Sequence, residues 1–289
     1  MATCRLLGVN RQVYYRRLHS VKKRKSTACK VIEMVEGIRI QMPKLGTRKL
    51  YYLLEDELRE MKVGRDMLFR ILKANHMLIK PKRQYHITTN SHHRFRKHKN
   101  LIEALTPQRP EQIWVSDITY VGNRKNPMYL ALVTDAYSKK IVGYDVSDSL
   151  DVSGSVRALR KAVKSRIYKT SQIIHHSDRG LQYCSNEYQK ILSKSKIKCS
   201  MTESYDPYAN AVAERVNGIL KAEFIGENSK LSLNTMKELL NESIKIYNEK
   251  RPHYSCYMKT PEQMHKQEKI KIRTYKSKNT SKDVFAGID

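Results

Sequence analysis

Three carboxylates stand apart from their surroundings. Asp117 lies in the middle of IWVSDITYV, a run otherwise suited to a buried strand. A lone carboxylate there costs several kcal/mol unless it is paired or bound to a metal. Asp178 follows the apolar stretch QII within HHSDRG, where a strand meets a loop and where α/β sheets place their ligands. Glu214 stands in NAVAERVNG, in the second turn of a helix that Asn210 can open. Each acid alone also has a plain structural use: Asp178 as a helix cap or a partner of Arg179, Glu214 as a partner of Arg215. Taken together, two strand carboxylates and one helix carboxylate make an oxygen-rich pocket suited to Mg²⁺, which takes one or two carboxylates with water and phosphate. Two such ions about 3.5–4 Å apart would serve an in-line phosphoryl displacement, one at the attacking oxygen and one at the leaving oxygen.

The elements that must hold these residues are legible in outline. QIWVSDITYV, MYLALVTDAY and KIVGYDVSDS succeed one another with turn signals between them and predict three strands joined by hairpins. DVSGSVRALRKAVKSRI predicts a helix capped by Asp151 or Ser153, followed by the strand QIIHHSD, the helix NEYQKILSKSK and the strand IKCSMT. NAVAERVNGILKAEFI and LNTMKELLNESIKIYNEK close the domain as helices. The expectation is an α/β fold with a mixed five-stranded sheet covered by helices on both faces.

Upstream, residues 1–18 predict a short helix, a turn at Gly8 and a second helix capped by Asn10. The first of these is too short to stand alone, so the chain is expected to begin partway through a unit or beside an upstream partner. A second helical pair is expected from about 47 to 59 and from about 65 to 75. Leu50, Leu53, Leu54 and Leu58 form one apolar stripe, and Leu68, Ile71 and Leu72 another. Arg65, Arg70 and Lys73 on the second helix favour a DNA-binding helix-turn-helix over a plain bundle. Residues 80–100, with Arg94 and Arg96, suit a basic arm laid along phosphates. The expected organisation is a helical DNA-binding region over 1–79, a linker over 80–106, the catalytic core over 107–265 and a basic tail over 266–289.

The 56 Lys and Arg against 28 Asp and Glu give a net charge of +28, and residues 1–110 hold 26 of the basic residues against 8 acidic ones. Such a field attracts a polyanion and gains affinity by releasing its counterions, so DNA is the expected partner. The longest apolar runs, such as MYLALV, fall far short of the roughly 20 residues that cross a bilayer, and the N-terminus lacks a secretory core. A cytoplasmic protein, at the nucleoid when bound to DNA and without membrane association, is expected. The cysteines at 4, 29, 184, 199 and 256 contain no close pair and are expected to be reduced and structural. Trp114 and His175 are expected in the core.

WVSDITY (114–120), HHSDRGLQY (175–183) and YDPYANAVAERVNGILKAE (205–223) resemble the catalytic core of DDE transposases and retroviral integrases, specifically the OrfB transposases of the IS three family of bacterial insertion sequences. The 35 residues between Asp178 and Glu214 match the spacing that names the group, and YNEKRPHYS and KTPEQ resemble its closing segment. The resemblance implies an RNase H-like fold, two Mg²⁺ or Mn²⁺ ions, cleavage at element ends and attack by a 3′-hydroxyl on a target strand. It implies that Asp117 bridges both metals while Asp178 and Glu214 each complete one shell. Lys221, two helical turns beyond Glu214, matches the family's DNA-contacting residue; Asn217 and Gly218 lie between them on the same face. Arg179 and Gln182 are expected to steer the scissile phosphate, and Tyr205, Pro207, Tyr208 and Asn210 to form a mobile segment. A homo-oligomer on DNA is implied, with an upstream-frame, OrfA-type partner or fusion, because the zipper heptads of that upstream frame are absent here. A nuclease without strand transfer and a DNA-binding regulator are the competing functional classes.

Overall fold

A computed structural model describes residues 8, 10–79, 98–103, 105–122, 126–202, 211–226 and 231–267. Its centre is a five-stranded sheet in the order β3-β2-β1-β4-β5. The strands are β1 (Ile113–Tyr120), β2 (Tyr129–Asp135), β3 (Ile141–Ser147), β4 (Ile174–Ser177) and β5 (Lys198–Met201). β1, β2 and β3 pair antiparallel, while β4 and β5 continue the sheet in parallel with β1. Hairpins suffice for the first three strands, and each parallel addition requires a helical crossover. The crossover before β4 is α5 (Val152–Lys164), capped by the Asp151 side chain on Val152 N–H. The crossover before β5 contains α6 (Leu181–Cys184) and α7 (Asn186–Lys194), the latter capped by Ser185.

Alternation along the strands sorts the core into two layers. Trp114, Ala131 and Val133 face α5, α6 and α7 and pack with Leu159, Tyr188 and Leu192. Leu130 and Leu132 point the other way and join Val216 and Leu220 of the helix carrying Glu214. That helix is α8 (Ala211–Ile219), prolonged by a π-helical turn over Leu220–Ile225. α9 (Leu233–Glu249) packs beside it, and the short α10 (Pro261–His265) ends the described chain. Gly143 sets how closely α5 lies on the sheet: a Cβ there would stand 2.2 Å from the Ala158 carbonyl oxygen.

The N-terminal region is helical, as expected, but differently divided. Asn10 does cap a helix, accepting from Gln12 N–H at 2.9 Å, and Gly8 takes a positive φ of 61°. That helix, α1 (Arg11–Gln41), runs for 31 residues instead of ending near residue 18, and Val31 and Val35 are its buried positions. The helix anticipated over 47–59 is broken at Leu54 into α2 (Thr47–Leu53) and α3 (Glu55–Glu60). Leu50, Leu54 and Leu58 are buried on both sides of the break, with Leu68, Ile71 and Leu72 of α4 (Arg65–Ala74). These leucines belong to the same apolar cluster as Leu132, Val216 and Phe224, so the helical region shares its core with the sheet. Among the described residues no helix is long and apolar enough to cross a membrane.

Candidate active site

Asp117 is central in β1, opposite Leu132 of β2. Its two carboxylate oxygens accept from different donors: Oδ1 from Ile118 N–H at 2.9 Å and Oδ2 from the Asn217 side-chain amide at 2.8 Å. β4 runs parallel to β1 with Val115 beside His176, and two residues further along this register Asp117 is level with Asp178. Asp178 lies one residue past the end of β4, where its Oδ1 accepts from Gly180 N–H at 3.0 Å. Glu214 stands in the first turn of α8, not its second, and is exposed.

Electrostatics link the three acids. Burial raises Asp117 to about 7 from an ordinary 3.8; the charge of Asp178 and, more weakly, that of Glu214 add to it, against the lowering effect of Asn217 and Ile118 N–H. A carboxylate held this way is stabilised by positive charge in its place. Lys221 lies on the same helix as Glu214, and its Nζ donates to Thr119 Oγ1 at 2.9 Å. Burial lowers the Lys221 pKa, and the charge of Asp117 partly offsets this. Thr119 projects from the same face of β1 as Asp117, two residues on. Among the described residues no group of three His, Cys, Asp or Glu side chains is gathered closely enough to form a ready metal cage.

The layer beneath the acids is neutral. His175 is fully buried, with Nε2 2.7 Å from Ser116 Oγ and 2.8 Å from Tyr188 OH, and burial pushes its pKa down to about 3. His176 lies 2.9 Å from Ser200 Oγ through Nδ1, and burial lowers it to about 4. Both histidines therefore brace β4 instead of reaching a phosphate.

Residues 107–207 match the family model described as "Integrase core domain", and residues 195–261 match a second model of the same description. Over 257 residues the chain is 34% identical to the "Insertion element IS600 uncharacterized 31 kDa protein" of Shigella sonnei, covering 86% of this chain and 92% of that protein. The chain belongs to the DDE transposase and integrase superfamily. It is also 33% identical over 167 residues to "Transposase InsF for insertion sequence IS3A" of Escherichia coli K12, covering 57% of this chain and 58% of that one. The HTLV-2 integrase catalytic core domain in complex with magnesium aligns with a TM-score of 0.45 at 20% identity, over 55% of this chain and 99% of that one.

Within this superfamily member, Asp117, Asn217 and Lys221 share one small region with the neighbouring charges of Asp178 and Glu214. Asn217 departs from its expected DNA-facing position: it is 3% exposed and donates to Asp117. Gln182 is tied by its Nε2 to the Leu150 carbonyl at 2.8 Å, and Arg179 is half-buried beside Asp178. Arg65 and Arg70 are exposed on α4, away from the carboxylates in sequence, and Arg65 pairs with Asp66 at 3.1 Å. Arg94, Arg96 and the segment containing Tyr205, Pro207, Tyr208 and Asn210 lie outside the described residues. A Cβ on Gly218 would meet nothing within 4 Å, so helix packing does not account for that glycine. Trp114 is fully buried, and Cys29, Cys184, Cys199 and Cys256 are free thiols. Thr119 was missed by sequence reasoning; its alternation with Asp117 was the available signal.

Proposed function

We propose that this transposase cleaves DNA at the ends of an insertion sequence and joins the resulting 3′-hydroxyl to a target phosphodiester, using Asp117, Asp178 and Glu214 to hold Mg²⁺ or Mn²⁺. Two ions per site would supply activation of the attacking oxygen and stabilisation of the leaving oxygen. The observation that carries this reading is the placement of Asp117 in β1, level with Asp178 just past β4 and bonded at 2.8 Å by Asn217 of the helix that carries Glu214; burial and the two further carboxylates raise its pKa. Such a site is short of cations until divalent ions enter it, and its oxygen donors suit hard ions. Asn217 and Ile118 N–H fix the orientation of Asp117, leaving its remaining lone pairs for the metals. Lys221 waits on Thr119 and exchanges that hydroxyl for a phosphate when DNA arrives. The bare surface at Gly218 admits a strand close to the helix.

In this reading residues 1–79 and the arm over 80–106 bring DNA to the catalytic core over 107–265, and the tail over 266–289 adds basic charge. Arg65, Arg70, Arg94 and Arg96 meet phosphates, with Arg179 and Gln182 nearer the scissile bond. Joining two ends to one target calls for a homo-oligomer on DNA. An OrfA-type upstream product supplies end recognition.

The test incubates the purified chain, with and without the upstream-frame product, with labelled DNA from the ends of its own element in Mg²⁺ or Mn²⁺. Joined products that vanish with chelator and with Asp117→Asn are expected. Cleaved ends that are never joined would make the chain a nuclease, and chelator-insensitive products would overturn the metal reading.

A further inference from the structure

Glu223 is not one of the three acids, yet it lies on the same helical run as Glu214 and is bonded by two cations. It lies two residues beyond Lys221, inside the π-helical turn that prolongs α8. Arg251 grips it with both arms of its guanidinium, Nε to Oε2 at 2.7 Å and Nη2 to Oε1 at 2.6 Å. Arg251 is 2% exposed, its guanidinium 5.6 Å from the Tyr247 ring centroid. A third group, Lys49 Nζ of α2, reaches Glu223 Oε1 at 3.3 Å.

A buried ion pair is weak evidence for stability, because desolvation offsets its attraction and apolar replacements are often neutral. What such a pair does supply is a fixed geometry. The Arg251 end is itself anchored to the sheet. Asn248, three residues earlier, donates to and accepts from the Ile141 backbone, each at 3.0 Å, and Tyr247 OH donates to the Lys139 carbonyl at 3.0 Å. The tail of the catalytic helix is therefore held to the sheet twice, by Lys221 on Thr119 of β1 and by Glu223 on Arg251 after α9. The π turn, closed by Gly226 N–H to the Lys221 carbonyl at 2.9 Å, lets both residues reach their partners. Such turns recur at functional sites.

We propose that Glu223 and Arg251 are positioning residues for strand transfer, and that Lys49 makes their clamp the link through which the N-terminal helices set the pose of the catalytic helix. The clamp holds α8 from its far end, so that Glu214 and Lys221 keep one register against Asp117. Lys49 belongs to the α2–α4 unit, so a DNA-driven shift of that unit acts on Glu223 directly. This inference rests on the transposase reading above.

The decisive variant is the apolar double replacement Glu223→Leu with Arg251→Met, which removes both charges of the clamp and leaves Lys49 as the one cation that loses its partner. With Lys49→Met added, its melting temperature should match or exceed that of the wild type. Turnover at saturating DNA should fall about 10- to 100-fold, the scale of a small misplacement at a reacting centre, with DNA affinity within about twofold. Lys49→Met should lower turnover in the wild-type background and have no effect in the double variant. Amide hydrogen exchange over 214–226 should quicken in the double variant, whether or not strand transfer is observed. Wild-type turnover in a stably folded double variant, or a Lys49→Met effect that persists there, would overturn the proposal. If the wild-type chain joins no DNA, the transposase reading fails, and unchanged exchange over 214–226 would separately overturn the clamp.

Discussion

Asp117 carries two burdens, one on stability and one on chemistry, and they pull in opposite directions. Its pKa is raised to about 7, so without metal the folded state binds a proton that the unfolded chain, near 3.8, releases. Stability linked to this group is fully present below the unfolded value and is lost as pH rises through about 7. Asp117→Asn removes the penalty. In chelator at neutral pH the variant should melt at least about 2 °C above the wild type, while losing at least about 100-fold in joining activity. Scanning fluorimetry from about pH 4 to pH 8 checks the sign: the wild type should fall relative to the variant as pH rises. At this scale the burial of Asp117 was legible, because an acid inside WVSDITY is out of keeping with its neighbours. Thr119 was not, since a threonine in a strand needs no explanation. Asn217 was expected to face DNA, and the structure buries it on Asp117; that contact depends on how α8 crosses β1, which spacing alone does not state. Glu223 and Arg251 are 28 residues apart, and nothing local marks them as partners.

The longer elements of the catalytic core were readable because their apolar period matched their environment: alternation for the hairpin strands, a 3.6-residue period for the helices. The irregular parts were not readable in this way. α6 has four residues and no period to detect, and the π turn breaks the helical count inside a run that otherwise reads as continuous helix. α1 continues past residue 18 through a stretch rich in Lys and Arg, and its anchoring residues Val31 and Val35 lie well downstream. Close packing between elements makes its own prediction at Gly143. A methyl group there would collide with the backbone of α5, which cannot yield as a side chain would. Gly143→Ala should therefore destabilise by about 1–3 kcal/mol, the usual range for overpacking, as urea unfolding would show. The same collision would push α5 off the sheet without touching any carboxylate, so residual metal-dependent activity should track the folded fraction.

For the whole molecule, the uneven charge has a measurable consequence. With 26 basic residues in the first 110, binding to DNA of any sequence should weaken steeply with salt, by at least about 100-fold between about 50 and 200 mM. Replacing Arg65 and Arg70 together with alanine should reduce the slope of log affinity against log salt by about 2, measured by fluorescence anisotropy; an unchanged slope would remove α4 from the DNA interface. The shared apolar cluster makes a separate claim, that the helical region and the sheet unfold together. A single urea transition reported by both Trp114 fluorescence and far-ultraviolet dichroism should result.

α1 leaves the body of the protein at its midpoint. From Arg11 to Ser26 every residue except Ser20 is exposed, and at 1.5 Å per residue this free half is about 24 Å long. A helix without lateral support frays from its open end. Trypsin should accordingly nick the folded protein between Arg16 and Lys25 before any site in the sheet. When something grips the far end, the same rod becomes a lever: a tilt of about 10° there displaces its tip by about 4 Å, while its root, held by Arg39 on the carbonyls of Met77 and Leu45, sits beside the helices that touch Glu223.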